Sequence, residues 1–187
     1  VITGLSKYLL LLPVIVLLLC SHSAVEKKSG KEKFSSTQNL PVMKIESSAF
    51  RQGESIPSKY TCKGADINPP LHIANVPADA KSLALIVDDP DAPVGTWMHW
   101  LLWNVAPQTT EIKENSVPAG AVQGKNSWGR SAYGGPCPPS GTHRYFFKLY
   151  ALDALLSLSS SADKAQLEKA MKGHILAQGE LMGTFKK

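Results

Sequence analysis

The sequence predicts a mostly β domain with a single helix near its C-terminus. Three observations carry that prediction. After residue 40, short apolar runs alternate with Pro, Gly, Asn and Asp punctuation, the pattern of strands joined by turns. With 14 glycines and 13 prolines among 187 residues, turns are well supplied and long helices are not. Only the stretch after Asp163 spaces its apolar residues at helical intervals. The length fits one domain, and no internal repeat divides it.

In chain order, residues 1–24 stand apart from that domain. Leu9–Cys20 reads LLLLPVIVLLLC, shorter than the roughly 20 apolar residues of a bilayer-spanning helix and interrupted by Pro13. Lys7 precedes the run, and the small residues Ser21, Ser23 and Ala24 follow it. This is the layout of a secretory signal, with cleavage after Ser23 or Ala24, or of an N-terminal anchor. Lipidation at Cys20 is a second reading, weakened by Leu19, where such signals want a small residue. Export is therefore expected, to a periplasm or to a membrane held through this segment. Residues 25–40 (VEKKSGKEKFSSTQNL) offer almost nothing to bury and read as a polar linker. The folded domain is expected over 41–187.

Strands are predicted at Met43–Ser47, Leu71–Asn75, Ser82–Asp88, His99–Val105 and Arg144–Leu152. SLALIVDD and MHWLLWNV are nearly continuous in apolar residues, so both should be buried on two faces. YFFKLYAL is similar, with Lys148 as its one interruption. Asp163 and Gln166 make a capping box for the helix. Leu167, Ala170, Met171, His174 and Ile175 then form an apolar stripe, with His174 packed inside it. Glu168 and Lys172 should pair on the outer face, and Gly179 should end the helix. A last short strand, Glu180–Phe185, closes the chain.

Charge narrows the function. Residues 1–40 carry five lysines against two glutamates, so much of the net charge of +5 sits outside the domain. The folded part shows no basic stripe, which argues against nucleic acid as a partner.

Cys62 and Cys137 are the domain's two cysteines. They form either a disulfide, worth roughly 2–4 kcal/mol in an exported domain, or two separate buried thiols. Both readings stand at this point. His99 and His143 each open a strand, and Asp88, Asp89 and Asp91 end another in DDPDAP, a turn stiffened by Pro90 and Pro93. If these strand ends meet, they make a small polar pocket at one rim of a sheet. Otherwise they are separate solvated turn residues. Two histidines and an aspartate would also suit a metal in a facial arrangement. SAYGGPCPPSGTHRY combines Gly134, Gly135 and Gly141 with three prolines, so its backbone N–H groups could face an anion. Trp97, just before His99, is the candidate wall of such a pocket.

DDPDAP with WMHW, and then YGGPCPPSGTHRYFFKLYAL, resemble the two signature regions of the phosphatidylethanolamine-binding protein family. The resemblance is to its bacterial and archaeal, Raf kinase inhibitor-like branch. YTCKGADINPPL and HILAQGELMGTF look like the same branch, and the likeness runs from about Met43 to Phe185. It implies a central antiparallel or mixed sheet packed on a smaller sheet, a β-sandwich with a C-terminal helix. It also implies an anion pocket at one end of the main sheet. By motif position the pocket residues are Asp89, Trp97, His99, Gly135, Pro136, Cys137, Pro138, His143 and Tyr145. Arg144 is expected to pair with Asp91.

The expected function is non-catalytic binding of a phosphate-bearing or other anionic ligand, such as a phospholipid headgroup. Imidazoles donate hydrogen bonds to phosphate, and a neighbouring carboxylate orients them. No nucleophile–base pair has recognisable spacing, and no cofactor is called for. A second hypothesis is a protein-interaction regulator, such as a protease or kinase inhibitor, docking a partner's anionic group. A third is a metal-dependent hydrolase using Asp89, His99 and His143. Exposed strand edges would also allow a homodimer. Membrane contact is expected only through the N-terminal segment.

Overall fold

The computed structural model describes residues 40–187. The expected signal segment, and the linker up to residue 39, lie outside the described residues. The domain has eight strands and one α-helix: β1 (Lys44–Glu46), β2 (Leu71–Ala74), β3 (Ser82–Asp89), β4 (Trp97–Val105), β5 (Glu111–Ile112), β6 (Val122–Gln123), β7 (Thr142–Leu152), α1 (Lys164–Met171) and β8 (Ile175–Lys186). A single 3₁₀ turn spans Ser58–Tyr60. The strands form a five-stranded sheet in the order β6-β4-β3-β7-β8 and a three-stranded sheet in the order β1-β2-β5. Every strand pairing is antiparallel. Among the described residues no helix is long and apolar enough to cross a membrane.

Alternation along β3 builds two cores. Leu83, Leu85 and Val87 face the small sheet and join Ile45, Leu71, Ile73, Trp100 and Phe147. Ala84 and Ile86 face the other way and pack with Trp103, Leu152, Leu167 and Met171 beneath α1. All eight residues of β3 are buried, as its continuous apolar run requires. β7 differs from the prediction. One of its faces is buried, while Phe146, Lys148 and Tyr150 on the other are only half-buried, because α1 is short and covers little of that strand. β5 and β6, two residues each, carry no sequence signal above their turns.

The helix is capped as predicted. Asp163 accepts the N–H of Gln166 at 2.9 Å, and the Gln166 side chain accepts the N–H of Asp163 at 3.0 Å. It ends earlier than the sequence suggests. Gly173, at φ 85°, stops it, not Gly179. The residues from Ile175 onward go instead to β8, which pairs with β7 over nearly its whole length. Two expectations fall with that boundary. His174 is not packed on a helix stripe; it is exposed and bonded to Asp153 at 2.7 Å. Glu168 pairs with Lys164 at 3.5 Å rather than with Lys172.

Gly179 has another use. A Cβ there would lie 2.5 Å from the Met43 carbonyl, so only glycine lets β8 approach that segment. Gly179→Ala should lower stability by about 1–3 kcal/mol, the usual cost of overpacking, measured by chemical denaturation. The outer edge of β8 is covered by two segments. Met43 N–H bonds Gln178 O, and Gln178 N–H bonds Pro41 O. Farther along, Gly53 and Ile56 donate to the carbonyls of Met182 and Thr184.

Candidate functional site

The site begins with two adjacent aspartates at the end of β3. Period-two alternation sends them to opposite faces. Asp88 turns toward α1 and takes Lys148 Nζ at 2.7 and 2.9 Å, with Lys164 at 3.9 Å. Asp89 turns the other way. Its Oδ1 accepts the Asp91 N–H at 2.8 Å, closing the turn at Pro90, and its Oδ2 accepts His143 Nδ1–H at 2.7 Å. Asp91 in turn takes the backbone N–H, Nε and Nη2 of Arg144 at 3.0, 2.8 and 2.7 Å. The Arg144 guanidinium holds the Asp91 carboxyl down to about 2. The expected Arg144–Asp91 pair is therefore present, and it ties the β3 turn to β7.

A β-bulge aims His99. Val87 pairs with Trp100 and Asp88 with Met98, so β4 spends one extra residue there, and that residue is His99. The ring is buried and stacks edge-on with Tyr145 at 5.1 Å and with Trp128 at 5.1 Å. Its Nδ1–H donates to the Gly134 carbonyl at 2.6 Å. His99 lines the cavity, and with Nδ1 held by Gly134 its Nε2 is the nitrogen left to the cavity. Burial lowers the His99 pKa below 6.5, against the upward pull of the Gly134 carbonyl and of Asp89. Burial therefore favours the neutral imidazole. The unfolded chain then binds a proton that the folded site refuses. Stability from this group is complete above pH 6.5 and falls as pH drops toward the lowered value.

The glycine–proline loop closes the site. Gly134 N–H donates to His99 O at 3.0 Å, and Gly135 N–H donates to Asp66 Oδ1 at 2.6 Å. Both glycine amides are thus committed inside the protein. Residues 136, 138 and 139 are prolines, so the remaining amide over 134–139 is Cys137 N–H, which lies beside Tyr145 Oη. The loop is tied across to the 3₁₀ turn by Tyr133 Oη to Tyr60 O at 2.9 Å, by Cys62 N–H to Pro136 O at 3.1 Å, and by a Cys62–Cys137 disulfide. The bridge answers the alternative that the sequence leaves open. Both of its cysteines are exposed.

These elements enclose a cavity of about 260 Å³. Of the nine expected pocket residues, Asp89, Trp97, His99 and Cys137 form its wall. His143 and Tyr145 stand behind that wall, one against Asp89 and the other against His99. Gly135, Pro136 and Pro138 are buried within the loop. Tyr145 Oη is buried beside the Asp89 carboxylate and the Cys137 N–H, and burial with the Asp89 charge raises its pKa, so it stays protonated. Trp97 Nε1 is likewise buried and unpartnered. The wall residues that sequence reasoning missed are Trp128, Pro139 and the Ala92–Val94 rim. Trp128 is placed by Asn126, whose Oδ1 accepts the N–H groups of Trp128 and Arg130, each at 3.0 Å. A larger depression of about 700 Å³ lies near β1 and β8, away from both histidines of the site.

The chemistry of the wall is specific. It carries one carboxylate and one neutral imidazole, and neither lysine nor arginine. An anion therefore needs a proton at His99 Nε2, or must bring one. The wall holds no free nucleophile, since Cys137 is bridged. Among the described residues, no three His, Cys, Asp or Glu side chains are grouped as a metal site would need.

Comparison with known proteins bears on this geometry. The family model described as phosphatidylethanolamine-binding protein matches residues 46–186. A UPF0098 protein of Methanothermobacter thermautotrophicus is 49% identical over 150 residues, covering 78% of this chain and 99% of the relative. A crystal structure of a phosphatidylethanolamine-binding protein homologue from Chlamydia trachomatis aligns with a TM-score of 0.75 at 47% identity, over 78% of this chain and 98% of the other. An Escherichia coli structure, described as a member of the mammalian family, aligns at 0.73 with 29% identity over the same shares.

Proposed function

The chain belongs to the phosphatidylethanolamine-binding protein family, and from that premise we propose that its cavity binds a phosphate-bearing or other anionic ligand without turning it over. One observation carries the reading: a buried imidazole with Nδ1 fixed by Gly134 and Nε2 left to a small cavity. Protonated at Nε2, that ring is a charge-assisted donor to an anionic oxygen, and Asp89 supports its charged form. A phospholipid headgroup or a free phosphate monoester presents the same chemistry here.

Proton uptake at His99 sets the pH dependence. Affinity for sulfate, which does not titrate in this range, should rise as pH falls from 8 to 6, by at most about tenfold per unit for one coupled proton. Phosphate and phosphoethanolamine should follow the same trend, and His99→Ala should abolish it. Isothermal titration of the protein with these three anions at each pH measures it. If none of them binds at pH 6, the small-anion reading fails.

A second reading rests on the mouth of the cavity. Val94 is 76% exposed and Trp128 41%, an apolar rim around a polar floor. Such a rim favours an anion carried on a larger body, including a partner protein's anionic side chain. The Cys62–Cys137 bridge supports export, because disulfides persist in oxidising compartments.

A further inference from the structure

One peptide group connects a remote carboxylate to the site imidazole. The Gly134–Gly135 peptide accepts His99 Nδ1–H at its carbonyl, at 2.6 Å. The same unit donates its N–H to Asp66 Oδ1, also at 2.6 Å. A peptide is planar, so fixing its N–H end fixes the direction of its carbonyl. Asp66 lies outside the cavity wall, in the turn after the 3₁₀ segment, and holds a left-handed φ of 54°. Aspartate is among the few residues besides glycine that take this conformation readily. The contact is built closely: a Cβ on Gly135 would meet Asp66 Oδ1 at 2.8 Å and the Tyr60 carbonyl closer still.

We propose that Asp66 is the positioning residue for His99, acting through the Gly134–Gly135 peptide to hold the imidazole as its Nδ1–H tautomer and to reserve Nε2 for the ligand. The arrangement is a carboxylate–peptide–imidazole relay, in which a backbone group takes the place of direct carboxylate contact. His143 has the direct version, with Nδ1–H on Asp89. The two imidazoles are thus oriented alike by two different carboxylates. A backbone carbonyl stabilises the imidazolium less than a carboxylate in contact does. Burial disfavours the His99 imidazolium, and an anionic oxygen at Nε2 would favour it. The other groups facing His99 are Asp89 from β3 and Tyr145 from β7, with Arg130 beyond the Trp128 ring.

This inference rests on the proposed binding role for its purpose, but its test does not. The ring-nitrogen ¹⁵N shifts of His99 in the ligand-free protein report the tautomer directly. Wild type should show a protonated Nδ1 and a bare Nε2 at pH 8. Asp66→Asn keeps an acceptor for Gly135 N–H, so the tautomer should persist while loss of the charge lowers the His99 pKa. Asp66→Ala should mix the tautomers and weaken sulfate binding at pH 6 by about tenfold or more. The disulfide still ties the loop in both variants, and unchanged shifts for Phe147 and Leu149 in the core would show an intact fold. A pure Nδ1–H tautomer in Asp66→Ala would overturn the relay. So would a protonated Nε2 with a bare Nδ1 in ligand-free wild type at pH 8, which stands even if the alanine variant fails to fold. If wild type binds no anion while the tautomer still depends on Asp66, the relay holds and the anion reading fails.

Discussion

Opening the Cys62–Cys137 bridge is expected to cost roughly 4 kcal/mol, the chain entropy of cross-linking cysteines 75 residues apart. The estimate comes from the unfolded state: the bridge joins the 3₁₀ turn to the loop before β7, and with it gone the denatured chain gains the freedom of that whole span. Denaturation of oxidised protein against the Cys62→Ser/Cys137→Ser double variant measures the difference, and the variant should also show a larger m value. Both cysteines are exposed, so a dithiol reductant reaches the bridge without unfolding. The site should feel the loss as well, because Cys137 is part of the cavity wall. Equal midpoints for the two proteins would show that hydrogen bonds alone hold the loop.

Lys148→Met should cost roughly 2–3 kcal/mol and leave sulfate affinity within about twofold. Asp88 is fully buried, and Lys148 supplies both of its short contacts. Removing the lysine strands a carboxylate beneath the sheet. A fully enclosed pair would lose about 3–5 kcal/mol; the smaller figure reflects Lys148 at 29% exposure and Lys164 remaining at 3.9 Å. Pairing the change with Asp88→Leu should recover much of the loss, because the stranded charge goes with it. Binding is spared because this cluster faces α1 and the cavity opens from the opposite face. A large drop in affinity with little change in stability would reverse the assignment of the two aspartates.

The division between Asp88 and Asp89 shows how far the sequence could be read. DDPDAP announces carboxylates at a strand end, and the strands around it are legible because their apolar runs are long. Alternation separates neighbours in a strand, yet which of two aspartates meets the histidines depends on which face the site occupies. His99 is harder still. Its direction comes from a bulge, and a bulge is a property of register between β3 and β4 that one strand cannot display. Asp66 meets Gly135 across 69 residues, a contact with no local signal. The helical spacing runs past the end of α1 for a different reason. His174 and Ile175 continue the helical spacing by coincidence, and the signal that mattered was Gly173, two residues before β8 begins. Where local propensity and spacing agreed, as at the Asp163 capping box, the element formed as read.

The covering of β8 has a consequence for self-association. A twelve-residue outer strand is a template on which further chains can grow, and unprotected edges of this kind lead to aggregation. Here the template is interrupted. The Pro41–Met43 and Gly53–Ile56 segments occupy the backbone groups of Gln178, Met182 and Thr184, so the outward-facing residue left between them is Glu180, with an exposed carboxylate in the gap. At the other end of the sheet, β6 is two residues long, and the small sheet ends in strands of three and two. Among the described residues each border is short or partly occupied, which leaves a second copy little backbone to pair with. Strand addition between two such domains is therefore expected to be unfavourable, and a homodimer found by sedimentation should form through side chains.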